Sequence, residues 1–143
     1  MKKNGFTLLE VLLSISLIAI LTAIGIPVFR SLQQRSDLEI SAGTIGQSLR
    51  RAQIRSIAME DDSSWGVYLD QNQALIFKGD DYNARDASYD EIFHLAGIAE
   101  FSGLAEIIFA KRTGLPGTAG DITIANVNNS RTITINEKGM VNY

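Results

Sequence analysis

The pattern of hydrophobic and polar positions begins with a long apolar stretch. Residues 6–29 contain a single ionisable side chain, Glu10. A helix rises about 1.5 Å per residue, so this segment is long enough to cross a hydrocarbon core about 30 Å thick. Its apolar residues occupy every face of such a helix, whereas the core helix of a soluble protein has one polar face. We therefore predict a membrane-spanning helix over residues 6–29.

A short basic segment, residues 1–5, precedes the apolar stretch and contains Lys2 and Lys3. Two lysines before an apolar run favour a cytoplasmic N-terminus and export of the sequence that follows. A secretory signal peptide also begins in this way, but its apolar core is shorter and closes at an Ala-x-Ala-like cleavage site. Here the run continues into Arg30 and a polar helical sequence, so we interpret it as an anchor.

The next part of the chain, residues 30–62, has a helical period. Its apolar residues recur at steps of four and three, the spacing of one helical face, and Ile57 extends this stripe. The pattern predicts an amphipathic helix that packs on a C-terminal domain. The stripe consists of Leu38, Ala42, Ile45, Leu49 and Ala52.

From residue 63 the period changes to the alternation typical of β-strands. Trp65 is predicted to be a core or interface anchor at the start of the first strand. Turns are predicted at 71–72, 128–130 and 137–139. The whole pattern predicts an α+β fold, in which a long helix packs on a small antiparallel β head spanning residues 63–143. The predicted strands are 64–70, 73–78, 91–95, 104–110, 121–127, 131–136 and 139–142.

Composition excludes several kinds of chemistry. The chain has no cysteine and one histidine, His94, so it offers no disulfide, no thiolate metal site and no multi-histidine site. Thirteen basic against sixteen acidic residues argue against a mainly electrostatic nucleic-acid binder. No catalytic or phosphate-binding motif is present, and His94 is interpreted as a histidine that is either hydrogen-bonded within the fold or at a solvent edge. We expect neither enzymatic activity nor a cofactor.

Two charged segments leave alternatives open. Arg50, Arg51 and Arg55 form the one basic cluster, which is expected to pair with the carboxylates of residues 60–62; contact with nucleic acid is the alternative. Residues 78–91 are acidic but lack the Asp-x-Asp-x-Asp-Gly pattern of a calcium loop, so an exposed loop is predicted. Calcium is the alternative there.

Glu10 is the most informative residue of the apolar segment. An acid inside a bilayer is costly and normally has a partner. One interpretation places Glu10 at the membrane edge. The other is that Glu10 neutralises a positive group of a neighbouring copy, for which the α-amino group of Phe6 would serve if the chain were cut after Gly5.

Residues 2–11, Lys-Lys-Asn-Gly-Phe-Thr-Leu-Leu-Glu-Val, resemble the class III signal of type IV prepilins and type II secretion pseudopilins. The resemblance implies that prepilin peptidase removes residues 1–5 between Gly5 and Phe6, and that Phe6 is N-methylated. It also implies that Glu10 pairs with the amine of an adjacent subunit. Pro27 matches the proline that commonly kinks this helix, so the predicted helix is kinked.

The head also resembles a family, the GspH/FimT-like pseudopilins and minor pilins. Its last residues, 139–143, lack the basic Gly-Arg-x-Arg tail of DNA-binding members, which argues against DNA uptake. The resemblance lies in residues 107–109, Gly114, Gly117, 121–124, 131–135 and Gly139, and in the helical segment 50–56.

These resemblances imply a structural subunit of a pilus or secretion pseudopilus, of the minor GspH/FimT-like kind. Its partners would be prepilin peptidase, other pilin subunits, the membrane proteins of the assembly platform and, before assembly, lipid. It would lie in the cytoplasmic membrane with the head outside, and then in an extracellular pilus or periplasmic pseudopilus. The alternatives are a DNA-binding competence pilin, a major pilin and a membrane-anchored binding module that never polymerises.

Overall fold

The computed structural model describes residues 5–143, so residues 1–4 of the predicted leader lie outside the described part. One long α-helix, α1 (Leu8–Ile57), is followed by eight strands. Two compact units result, one up to Gln34 and one comprising Arg35–Tyr143. The strands are β1 (Trp65–Leu69), β2 (Gln73–Lys78), β3 (Glu91–His94), β4 (Glu100–Gly103), β5 (Glu106–Phe109), β6 (Gly120–Ala125), β7 (Ser130–Ile135) and β8 (Val141–Asn142).

In the first unit, α1 has no side chain buried against another part of residues 5–143. Every side chain from residue 5 to residue 34 is exposed. Its hydroxyl groups are bonded within the helix: Ser14 Oγ donates to the carbonyl of Glu10 at 2.8 Å, and Ser16 Oγ donates to that of Leu12 at 2.7 Å. Such bonds let hydroxyl side chains lie in lipid without an outside partner. Among the described residues, α1 is the helix long and apolar enough to cross a membrane.

In the second unit, the predicted apolar stripe of α1 forms one wall of the core. Leu38, Ala42, Ile45, Leu49 and Ala52 are all buried, which confirms the predicted face. The extension of the stripe to Ile57 is wrong, because that side chain is 49% exposed.

Ser56 occupies the buried position at the end of the stripe instead. Its Oγ accepts the backbone N–H of Trp65 at 2.9 Å. The chain returns to β1 at this point, and a buried N–H needs an acceptor that an isoleucine cannot supply.

The first sheet has the order β3-β2-β1-β5, with all neighbours antiparallel. Trp65, at the start of β1, lies opposite Lys78 of β2 and Phe109 of β5, and it is buried as predicted. The turn between β1 and β2 forms because the carboxylate of Asp70 accepts the N–H groups of Asn72 and Gln73. This confirms the predicted turn at 71–72.

The second sheet has the order β4-β6-β7-β8 and is also antiparallel. Asparagine side chains make its turns: Asn126 accepts the N–H of Asn129 after β6, and Asn136 accepts the N–H of Met140 after β7. Buried residues of both sheets meet the stripe of α1 in one core. The α+β fold of a long helix on antiparallel sheets is therefore confirmed.

Strand β4 was not predicted from the sequence. It ends at Gly103, which has a φ of +99°, and a β-carbon there would lie 2.1 Å from the carbonyl oxygen of Asp121 in β6. The strand forms because its backbone lies close to the backbone of β6. Its apolar side chains do not alternate, so the sequence pattern does not predict it.

Two glycines of the head enclose Gln53 of α1. Gln53 Nε2 donates to the carbonyl of Gly114 at 2.9 Å, and a β-carbon at Gly139 would lie 2.2 Å from the same nitrogen. Both glycines have positive φ, +64° and +76°. A side chain at either position would be strained by the positive φ; at Gly139 it would displace Gln53, and at Gly114 it would displace Ile57.

Candidate processing and assembly site on the N-terminal helix

The predicted cleavage pair, Gly5 and Phe6, lies just before α1 begins. Residues 5–7 have no regular secondary structure. A β-carbon at Gly5 would meet no atom within 4 Å, and Phe6 is 82% exposed. The peptide bond between them is therefore open to another molecule.

Thr7 determines where the helix starts. Its Oγ1 accepts the N–H of Glu10 at 3.3 Å, and its carbonyl accepts the N–H of Val11 at 3.2 Å. This is the position of an N-cap, whose side-chain oxygen satisfies one of the N–H groups that the first turn leaves unbonded. Sequence reasoning missed this role, although the Thr-x-x-Glu spacing of a capping box would have pointed to it.

Glu10 lies in the first turn of α1 and is exposed. The positive end of the helix dipole favours a carboxylate in that turn. No ion pair of the described residues includes Glu10. Apolar residues follow it on every face, so residues 5–34 offer no cation near Glu10 within the apolar segment.

Pro27 lies inside α1, which continues through it to Ile57. A proline has no N–H, so the carbonyl of Ala23 lacks the donor that a helix would normally supply four residues later. Gly25, two residues before Pro27, has open space around it. Pro27 therefore weakens one turn of α1 near the end of the apolar segment, residues 6–29.

The three arginines of the basic cluster contact the head. Arg50 donates to the carbonyl of Val141 at 3.1 Å, and Arg51 lies 3.1 Å from the carboxylate of Glu91. Arg55 also pairs with Glu91, and its guanidinium lies 4.5 Å from the centre of the Trp65 ring.

The expected pairing of these arginines with residues 60–62 is correct for Glu60, which lies 3.6 Å from Arg55. It is wrong for Asp61 and Asp62, which pair with Lys78 and Lys111. A left-handed backbone at both aspartates directs the chain toward the sheet. The arginines therefore serve to attach α1 to the head.

The acidic loop after β2 uses its carboxylates in local bonds. Asp81 and Asp86 cap two short turns by accepting the N–H groups of Asn83 and Ser88, and Asp90 accepts both bonds from the Arg85 Nε. Hydrogen bonds from Ser88 lower the pKa of Asp86 below its ordinary value. In residues 5–143, no group of three His, Cys, Asp or Glu residues is arranged to hold a metal ion. His94, at the end of the edge strand β3, is exposed.

Residues 1–26 match the family model of the prokaryotic N-terminal methylation motif. The chain carries a class III prepilin signal. This signal supports a precursor of the type IV pilin-like or pseudopilin kind, and the apolar N-terminal helix fits membrane anchoring through the N-terminus. The prepilin signal implies processing by prepilin peptidase and assembly with other pilins. Comparisons with curated proteins and with solved structures give no match.

Proposed function

We propose that this protein is a structural subunit of a type IV pilus or of a type II secretion pseudopilus. The observation that carries the proposal is the prepilin signal at the start of a helix whose first half is exposed on every side. A helix of this kind is stable only where something apolar surrounds it, first lipid and then the helices of other subunits. The folded head, with its own core, remains in water.

Processing changes the charge at the start of the helix. Water adds across the bond between Gly5 and Phe6, which leaves a carboxylate on the leader and an α-amino group on Phe6. A methyl group from a sulfonium donor is then transferred to that amine. The resulting cation matches Glu10 of a neighbouring subunit, and the pair is strengthened by the low dielectric of packed helices. Helix packing and this pair together set the register between subunits.

We further propose the minor, GspH/FimT-like kind of subunit. The glycines of the head pattern support it, because Gly114 and Gly139 fill positions where the backbone has a positive φ and where side chains of α1, Ile57 and Gln53 respectively, leave no space. A role in DNA uptake is less well supported, because Arg50, Arg51 and Arg55 are used in contacts with the head. Glu10 and Pro27 are the residues that we assign to assembly.

Intact mass and N-terminal sequencing of the protein from its native cells test this function. We expect a chain that starts at Phe6 and is one methyl group heavier than its sequence. Gly5→Val should block trimming, because it places a branched side chain beside the scissile bond. Gly25→Val makes the same change within the helix and should be trimmed normally.

A native protein that starts at Met1 and stays in the membrane would contradict the proposal. So would normal trimming of Gly5→Val. The first result would favour a membrane-anchored binding module that does not polymerise, and the second would show that the assigned cleavage site is wrong.

A further inference from the structure

We propose that Thr7 is a positioning residue for the cleavage of the precursor, an inference that rests on the function proposed above. Thr7 would act as the N-cap that ends α1 directly after the scissile bond. Cleavage between Gly5 and Phe6 would then take place on a non-helical segment held at a fixed distance from a rigid helix.

The first part of the argument is where the helix stops. Residues 5–7 are non-helical, and α1 begins at Leu8. The bond from the Glu10 N–H to Thr7 Oγ1, 3.3 Å long, satisfies a donor at this end of the helix. Neither phenylalanine nor glycine has a side-chain oxygen, so a helix that started one or two residues earlier would have no such cap.

The second part is the cost of losing the cap in this location. The residues after Thr7 are apolar, and an N–H group that enters the hydrocarbon region without an acceptor is costly, because no water is present there to accept its hydrogen bond. Without the hydroxyl of Thr7, the start of the helix would spread over neighbouring residues. The scissile bond would then adopt several conformations instead of one.

The third part is the access that the cap preserves. Gly5 has no neighbour within 4 Å of a built β-carbon, and Phe6 is 82% exposed. Peptide bonds in exposed non-helical segments are the ones that peptidases attack. By keeping Phe6 outside the helix, Thr7 keeps the scissile bond in an exposed, non-helical segment.

Two substitutions separate the hydroxyl from the rest of the side chain. Thr7→Val has nearly the same shape and removes the acceptor, whereas Thr7→Ser keeps the acceptor and removes the methyl group. The full-length precursor would be placed in lipid vesicles with prepilin peptidase, and kcat/KM for trimming would be measured by mass. The hydrogen exchange rate of the Glu10 amide would be measured on the same samples.

We expect Thr7→Val to lower kcat/KM about fivefold, the change that corresponds to a typical N-cap, and to speed exchange of the Glu10 amide by a similar factor. Thr7→Ser should match the native precursor in both measurements. Equal trimming of the native and Thr7→Val precursors would overturn the inference. An equal loss in both variants would also overturn it, since the peptidase would then be recognising the shape of threonine.

Gly5→Val, measured in parallel, distinguishes this inference from the proposed function. If Gly5→Val is trimmed normally, the assigned cleavage site is wrong whatever Thr7 does. If Gly5→Val is blocked while Thr7→Val is trimmed at the native rate, the cleavage site stands and only the role of Thr7 fails.

Discussion

Gly46 of α1 lies beneath the ring of Tyr143: a β-carbon added to Gly46 would lie 2.5 Å from Cε1 of that ring. The guanidinium of Arg50, one turn further along α1, lies 5.4 Å from the centre of the same ring. The absence of a side chain at Gly46 therefore lets the end of the head rest on the helix. Gly43, on the preceding turn, has open space where a β-carbon would be.

These two glycines give a matched pair of substitutions. Gly43→Ala should raise the free energy of unfolding of the head by about 1 kcal/mol, because alanine has the higher helix propensity. Gly46→Ala should lose this gain, since the ring of Tyr143 has to move. In the double variant Gly46→Ala, Tyr143→Ala, the stabilisation by alanine at position 46 should return, because the ring is no longer there. Thermal unfolding of the three variants tests this. An equal gain at Gly43 and Gly46 in the presence of Tyr143 would contradict the contact.

The serines buried on α1 should differ in importance. Ser56→Ala would leave the buried N–H of Trp65 without an acceptor, at a cost of about 1–3 kcal/mol in the free energy of unfolding. Ser48 is also buried, but its hydroxyl donates to the carbonyl of Thr44 in the same helix. Ser48→Ala should therefore cost much less. Denaturant unfolding measures the free energy of unfolding of both variants. An equal loss would show that the bond to Trp65 contributes no more than the bond within the helix.

The ion pair between Glu39 and Arg131 predicts a dependence on pH. The hydrogen bond from Arg131, and secondarily its charge, hold the pKa of Glu39 below its ordinary value of 4.5. A pKa that is lower in the folded state stabilises the head above the unfolded value, and this contribution is lost as the pH falls through the folded pKa. Both side chains are partly exposed, so the effect should be small and should weaken with salt.

Two variants test this pair. Arg131→Gln should raise the pKa of Glu39, followed by nuclear magnetic resonance of its carboxyl carbon. Glu39→Gln should make the stability of the head less sensitive to acid below pH 4.5, the ordinary value. An unchanged Glu39 titration in Arg131→Gln would show that the pair is not formed in solution.

Glu10→Ala should leave membrane insertion intact and impair incorporation into filaments. It leaves the amine of a neighbouring subunit unpaired, and losing one partner of a buried pair costs about 3 kcal/mol, or about a hundredfold in incorporation. Ser14→Ala, one turn further along the same helix, is the control, because Ser14 bonds only to the carbonyl of Glu10. Quantifying each subunit in sheared filaments and in membranes separates the two steps. If Glu10→Ala enters filaments as efficiently as the native subunit, Glu10 has no role in assembly.

Pro27→Ala should straighten the helix and affect assembly rather than the folding of the head. The new N–H can donate to the carbonyl of Ala23, and a proline inside a helix costs about 3 kcal/mol relative to alanine. Gly25→Ala raises helix propensity without adding a donor and serves as the control. The head, residues 35–143, has its own core, so its unfolding temperature should not change. A lower unfolding temperature in Pro27→Ala would show that residue 27 supports the head.

The sequence predicted those parts of the fold that depend on the spacing of hydrophobic residues along the chain. Strand β2 has the predicted limits, and the five stripe residues of α1 are buried, because alternation and the helical step report directly which side chains face the core. Features that depend on backbone groups far away in the sequence were missed. Strand β4 pairs with β6 by a close approach at Gly103, and Ser56 accepts the N–H of Trp65. At the processing site, Gly5, Phe6 and Glu10 could be named from the motif. The cap made by Thr7 was missed, although the Thr-x-x-Glu spacing pointed to it; the hydrogen bond to the N–H of Glu10 identifies it.

The exposure of every side chain from residue 5 to residue 34 limits the surroundings in which the molecule stays in solution or in a membrane without aggregating. A copy that left the membrane alone would expose a hydrophobic rod to water and would aggregate. If the proposed function is correct, transfer from lipid to filament has to be direct, with each apolar contact replaced as it is lost. New subunits would then reach a growing filament from within the plane of the membrane.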